Sequence, residues 1–292
     1  MDKASVLRLQ CGPFGLTVGE RTLIMGIVNV TPDSFSDGGL FFDRADAIAH
    51  GEALAAAGAD IIDMGGESSR PFSEPVPAQE EIERVGPVIE ELARRLSIPI
   101  SIDTYKAQVA KHAIRAGASI VNDIGALRLD ADMANFVAEA GVAVVLMHMK
   151  GTPKAMQVDP YYEDVVGEVE GFLADTLARA EQAGIDRTRV IVDPGIGFGK
   201  TVTHNLLLIK HLSRLQALGV PILIGASRKS FITKILGSGD ERREVGTQAA
   251  IAVAALHGAH IVRVHDVEQT KHTLKIVDAL KNAAPSNEPW SS

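Results

Sequence analysis

The chain has 292 residues, long for one average domain but ordinary for one α/β barrel. Its 46% hydrophobic and 23% charged content is that of a globular protein, and aromatics at only 4% leave too little for a base-stacking surface. A formal charge of -8 excludes a broad nucleic-acid phosphate footprint but not small anions, for which a few local Arg and Lys residues suffice.

In chain order, residues 6–20 read as a hairpin turning at Gly12-Pro13-Phe14-Gly15 and capping the bottom of the main domain. Cys11, the single cysteine, falls on this hairpin, where it is expected at the surface and inert. With no possible intramolecular disulfide, the chain suits a reducing compartment. Met1-Asp2-Lys3 opens no signal-peptide pattern, and the longest apolar run, 141–147, is far short of the ~20 residues that span a bilayer. The expected location is the cytoplasm, without membrane or nucleic-acid partners.

One pattern then repeats. A helical stretch ends at Gly, and a β-branched strand comes next: Gly58 before 59–63, Gly117 before 118–122, Gly141 before 143–147, Gly219 before 220–224 and Gly258 before 259–264. Strands at 23–30, 99–103 and 189–193 complete roughly eight, the count of a closed parallel barrel. Between them lie amphipathic helices, as in Ile82, Val85, Ile89 and Leu92. The expected fold is α/β: a (β/α)8 barrel over residues 22–282, an N-terminal hairpin cap over 1–21 and a disordered tail over 283–292. An open doubly wound sheet is the alternative, disfavoured because no strand leads into a Gly-rich dinucleotide turn.

The strands end in polar residues: Asn29, Asp63, Asp103, Asn122, His148, Asp193, Ser227 and His265. Strand C-termini of a barrel share one face, where active sites sit. Helix N-capping explains two or three of these positions but not a ring. Alternation puts Ile261, Arg263 and His265 on one face, so Arg263 points inward and needs an anion, either a structural Asp or a ligand phosphate. Arg228 and Lys229 stand where a helix begins, against its dipole, which calls for a ligand or a nearby carboxylate. Long polar loops at 31–42 and 65–77 are candidate lids.

Two decoys fall away. Gly195-Ile196-Gly197-Phe198-Gly199-Lys200-Thr201 looks like a phosphate loop, but the required first Gly is Pro194; a dinucleotide fingerprint needs Gly where Lys200 stands. His257, His260 and His265 do not make a zinc site, because the first two lie at the opposite end of the last strand from the third.

Taken together, the motifs resemble those of the dihydropteroate synthase family. Met25-Gly26-Ile27-Val28-Asn29-Val30-Thr31-Pro32-Asp33-Ser34-Phe35-Ser36-Asp37-Gly38-Gly39 is similar to its first signature, and Asp63-Met64-Gly65-Gly66-Glu67-Ser68-Ser69-Arg70-Pro71 to its second. Ile102-Asp103-Thr104, Asn122-Asp123-Ile124, Leu146-Met147-His148-Met149, Asp193-Pro194-Gly195, Ser227-Arg228-Lys229-Ser230 and Arg263-Val264-His265 come after them in family order.

The resemblance implies that Asp103, Asn122, Asp193 and Lys229 hold a pterin, with Met147, Phe198 and Arg263 against its faces. It implies that Ser69, Arg70, Arg263 and His265 hold a diphosphate, with Asn29 contacting Mg2+. Phe35, Pro71, Lys229 and Ser230 would border 4-aminobenzoate, and Asp63 would support Asn29 and the loops. Family members are typically homodimers. The sequence departs from the family at Ser69, where Thr is usual, and at Phe72-Ser73, where Gly-Ala is usual; the second change bears on the aminobenzoate mouth. The rivals are a pterin-binding methyltransferase and a catalytically dead pterin-binding protein. The first would not need the Arg70 and Arg263 cluster.

Overall fold

The computed structural model describes residues 6–30, 40–68, 74–152, 154–237 and 242–283, with side chains from residue 44 onward in the second segment. Two strands, β1 (Leu7–Cys11) and β2 (Phe14–Val18), form an antiparallel hairpin in which Cys11 pairs with Phe14. The turn is thus only Gly12-Pro13, with Gly12 at φ +55°, the left-handed conformation that a two-residue hairpin turn demands.

Eight parallel strands make up the barrel: β3 (Leu23–Asn29), β4 (Ile61–Gly65), β5 (Ile100–Asp103), β6 (Ile120–Asp123), β7 (Ala143–Met147), β8 (Val190–Asp193), β9 (Leu223–Ile224) and β10 (Ile261–Val264). Their order is β8-β7-β6-β5-β4-β3-β10-β9, and a parallel bridge between Val192 and Ile222 joins the two ends. This is a closed barrel, not an open doubly wound sheet. β9 is shorter than its apolar run because Pro221 has no N–H to give to the ladder.

Nine helices surround the barrel among the described residues: α1 (Leu40–Ala57), α2 (Ala78–Arg95), α3 (Ala107–Arg115), α4 (Met133–Ala140), α5 (Val165–Gln182), α6 (Val202–Lys210), α7 (Ser230–Leu236), α8 (Arg243–Leu256) and α9 (Val267–Asn282). None is long and apolar enough to cross a membrane. α2 buries the predicted stripe of Ile82, Val85, Ile89 and Leu92. Truncating a fully buried leucine such as Leu92 to alanine typically costs about 2–5 kcal/mol. The expected tail from residue 284 lies outside the described residues.

Strand alternation divides the core in two. Outward residues such as Ile62, Ile102, Val144 and Val192 pack against the helices. Inward residues Met25, Ile61, Ile120, Val145, Ile191, Leu223 and Ile261 meet Leu9, Cys11 and Val18 from the hairpin. The hairpin is therefore a plug in the barrel floor. This corrects the surface placement of Cys11, which is fully buried; loss of hydration pushes its thiol up to about 12.

Candidate active site

Above the apolar floor the same inward positions turn polar. Ile61 is followed two residues on by Asp63, Ser101 by Asp103, Ile120 by Asn122, Ile191 by Asp193 and Ile261 by Arg263. Register sets them side by side: Asp103 pairs with Asn122, and Gly65 with both Asn29 and Asp103. A ring of chemistry at the strand C-termini thus results from the pleat and from staggered strand ends.

Arg263 crosses this ring. Its Nε donates to Asp63 Oδ2 at 2.6 Å and its Nη2 to Asp103 Oδ2 at 2.7 Å. Asn122 Nδ2 also donates to Asp63 Oδ2, at 3.3 Å. Burial works against the guanidinium charge, but Asp63 and Asp103 outweigh it and hold its pKa above the ordinary value. Burial pushes Asp103 upward, opposed by Arg263. Asp193 accepts from the Gly195 N–H at 2.7 Å, and burial raises it to about 6. Lys229, lowered to about 8 by burial and by Arg263, sets its Nζ 4.1 Å from the centre of the Phe198 ring. Phe198 belongs to an apolar wall with Ile124, Met147, Met149 and Met156.

The mouth therefore offers acceptors, a two-way amide and an ammonium around a flat apolar face. That set matches a polar heteroaromatic ring with both donors and acceptors on its edge. The family description "pterin binding enzyme" matches residues 25–265. The chain is 45% identical to the dihydropteroate synthase of Escherichia coli K12, over 89% of this chain and 92% of that protein. It is 46% identical to that of Mycobacterium leprae, over 91% and 95%. Among solved structures, the dihydropteroate synthase of Xanthomonas albilineans with 4-aminobenzoic acid is 46% identical and superposes with a TM-score of 0.90, covering 96% of this chain and all of that one. The same enzyme with 7,8-dihydropteroate gives 0.86 at 45% identity, over 95% of this chain and all of that one. The chain belongs to the pterin-binding enzyme family and, within it, to the dihydropteroate synthases.

Placed against that family's motifs, the expected pterin set of Asp103, Asn122, Met147, Asp193, Phe198, Lys229 and Arg263 converges on one mouth. The anion that Arg263 requires is supplied by Asp63 and Asp103, the structural alternative. The hydrogen bonds that Asp63 accepts come from Arg263 and Asn122. Asn29 ends β3 with its Oδ1 3.4 Å from where a Cβ on Gly65 would stand. His265 lies beside Ser227, Nδ1 to Oγ at 2.9 Å. Ser230 is exposed at the first turn of α7. The two cations before α7 part company. Arg228, at φ +55°, approaches Glu244 with Nε at 3.5 Å, while Lys229 turns into the site.

His148 does not join the ring. Met147 takes the inward place, so His148 turns outward, its ring 4.8 Å from Phe172 and tilted against Tyr162. Burial and Lys200 lower it to about 2, so it is neutral at any working pH. Phe35, Ser69, Arg70, Pro71, Phe72 and Ser73 lie outside the described residues. The chain bracketing the last five is tied, however. Lys106 Nζ donates to Glu67 Oε2 at 2.5 Å, to the Val76 carbonyl at 2.6 Å and to Glu81 Oε2 at 2.7 Å. Sequence reasoning passed over Lys106, Ile124, Met149 and Met156 as site elements. Met149 and Ile124 sit inside family-like motifs; nothing in the sequence marks Met156.

Proposed function

We propose that this site joins a pterin-methyl diphosphate to 4-aminobenzoate, releasing diphosphate and forming 7,8-dihydropteroate. The observation that carries the reading is the convergence of half-buried Asp103, buried Asp193 and Lys229 on the Phe198–Met147 wall, with Lys229 Nζ 4.1 Å from the Phe198 ring centre. A pterin edge carries amino and ring N–H donors and a carbonyl acceptor; the carboxylates accept from the former and Lys229 donates to the latter. Arg263 would lie against the ring and turn toward the leaving group, joined by His265, Ser69 and Arg70. Phe35, Pro71, Lys229 and Ser230 would line the aminobenzoate side.

The displacement is dissociative on this reading. The electron-rich pterin stabilises charge at its exocyclic methylene while cations absorb charge on the departing diphosphate. The aromatic amine is neutral at pH 7, so positioning replaces a dedicated base. Asn29 fits Mg2+ carried in by the substrate: it is a hard oxygen donor at a strand end, and no group of three His, Cys, Asp or Glu among the described residues could cage a metal. Bound there, Mg2+ would neutralise diphosphate oxygens.

A homodimer is supported by α8 and α9, which pack together and expose Val245, Val253, Ile276 and Leu280. A cytoplasmic location is supported by the single buried thiol. The test is one assay of purified protein with pterin-methyl diphosphate, 4-aminobenzoate and Mg2+. Stoichiometric dihydropteroate and diphosphate are expected. Pterin binding without turnover would favour the catalytically dead reading.

A further inference from the structure

The glycine-rich run 195–199, which is neither a phosphate loop nor a dinucleotide turn, is built for contact with other backbone. Gly195, Gly197 and Gly199 adopt φ +69°, +85° and +66°. A Cβ on Gly195 would stand 1.9 Å from the His148 carbonyl oxygen, and one on Gly199 2.4 Å from that of Lys150. A Cβ on Gly197 would lie 3.0 Å from Cδ of Lys229. The segment after β8 is thus laid directly on the segment after β7, with Lys229 against it.

Lys200 fastens this contact. It is 3% exposed, and its Nζ donates to the Phe198 carbonyl at 3.0 Å and lies 2.9 Å from His148 Nδ1. Burial lowers Lys200 to about 7, and the Nζ–Nδ1 contact ties it to His148 whichever of the two nitrogens donates. Tyr162 Oη donates to the Gly199 carbonyl at 2.9 Å, and Gly197 N donates to Asn205 Oδ1 at 2.8 Å. Among the described residues no carboxylate forms an ion pair with Lys200. Burial without such a partner disfavours its charge, and an apolar side chain would fill the space at lower cost. What the Lys200 amino group supplies is the height of the Phe198 carbonyl, and with it of the ring beneath Lys229.

We propose that Lys200 is a positioning residue for the pterin: it latches the β8 segment onto the end of β7 and so sets the Phe198 face and the Lys229 ammonium. The inference rests on the pterin reading of the site. It assigns a role to a buried group that the reaction itself does not use.

The test compares wild type with Lys200→Leu and with the milder Tyr162→Phe, which removes only the tie to Gly199. Calorimetry would measure a pterin lacking diphosphate and, separately, inorganic diphosphate with Mg2+. Lys200→Leu is expected to weaken the pterin at least tenfold and to leave diphosphate within twofold; Tyr162→Phe is expected to shift pterin affinity less, in the same direction. Methyl spectra of 13C-methionine-labelled protein should show Met147, Met149 and Met156 displaced in Lys200→Leu. If Lys200→Leu does not fold, Tyr162→Phe decides. Variants that bind the pterin as wild type does, or that lose pterin and diphosphate equally, overturn the latch. Wild type that binds no pterin overturns the reading of the site, and the latch with it.

Discussion

Arg263 on β10 reaches across the barrel mouth to Asp103 on β5, Nη2 to Oδ2 at 2.7 Å, over 160 positions of sequence. The same guanidinium holds Asp63, whose side chain is 0% exposed. Replacing Arg263 by Ala therefore does two things. It leaves buried Asp63 and half-buried Asp103 without their cation, which costs roughly 3–5 kcal/mol of stability. On the proposed reading it also removes a charge-assisted contact to the substrate, roughly 1.5–3 kcal/mol or about 10–150-fold in turnover. Urea titration and the synthase assay would separate the two losses. Full activity with an intact fold would remove Arg263 from the site.

Asp103→Asn should behave differently. Arg263 keeps Asp63 in this variant, so the unfolding midpoint should move little. The pterin loses a charged acceptor, and its affinity should fall about 10–150-fold, the equivalent of one such bond. Calorimetry on both proteins checks this. Unchanged pterin affinity beside lowered stability would make Asp103 purely structural.

Pterin affinity should depend on pH with two limbs. On the acid side Asp103, raised to about 7, and Asp193, raised to about 6, take up protons and give up acceptors, so binding weakens below about 7. Above about 8, Lys229 loses the charge that strengthens its donated bond, so binding weakens again. The maximum lies between them. In Asp193→Asn the acid limb should keep only the Asp103 step near 7, while the alkaline limb stays. A step that persists near 6 in that variant assigns the lower titration to another group.

Aminobenzoate should bind well only with diphosphate and Mg2+ present. Residues 31–39 come directly after Asn29 and carry Gly38 and Gly39, whose ordering is entropically costly. Residues 69–73 are bracketed by the Lys106 tie between Glu67 and Val76. A diphosphate held by Asn29 and Arg70 would draw on both segments, and the coupling would be reciprocal. Titrations of aminobenzoate with and without diphosphate and Mg2+ decide it; equal affinity in both would mean a pocket formed in advance.

Much of the site was legible in the sequence because a barrel converts alternation into geometry. Once Asp103 and Arg263 are placed on strands with an inward residue two positions earlier, their own inward direction is settled. His148 shows the limit. It ends an apolar run just as Asp193 does, but one residue of difference in where the strand stops sends it to the opposite face. The partner of Arg263 was equally hidden, since charge alone does not say whether a carboxylate or a phosphate answers it. Lys200 was hidden for a different reason. Its oxygen and nitrogen neighbours come mostly from backbone bends that only glycines permit, and bends leave no periodic trace.

The hairpin in the barrel floor has a consequence for traffic. With Leu9, Cys11 and Val18 filling the far end, the well is blind, and one doorway serves two reactants and two products. Occupants must then be sorted by depth: whatever seats against Asp193 and Asn122 goes in first and leaves last. On the proposed reading a joined product would span the well from bottom to rim, so chemical groups added to its outer end would protrude into solvent, while groups added to its inner end would meet a stopper.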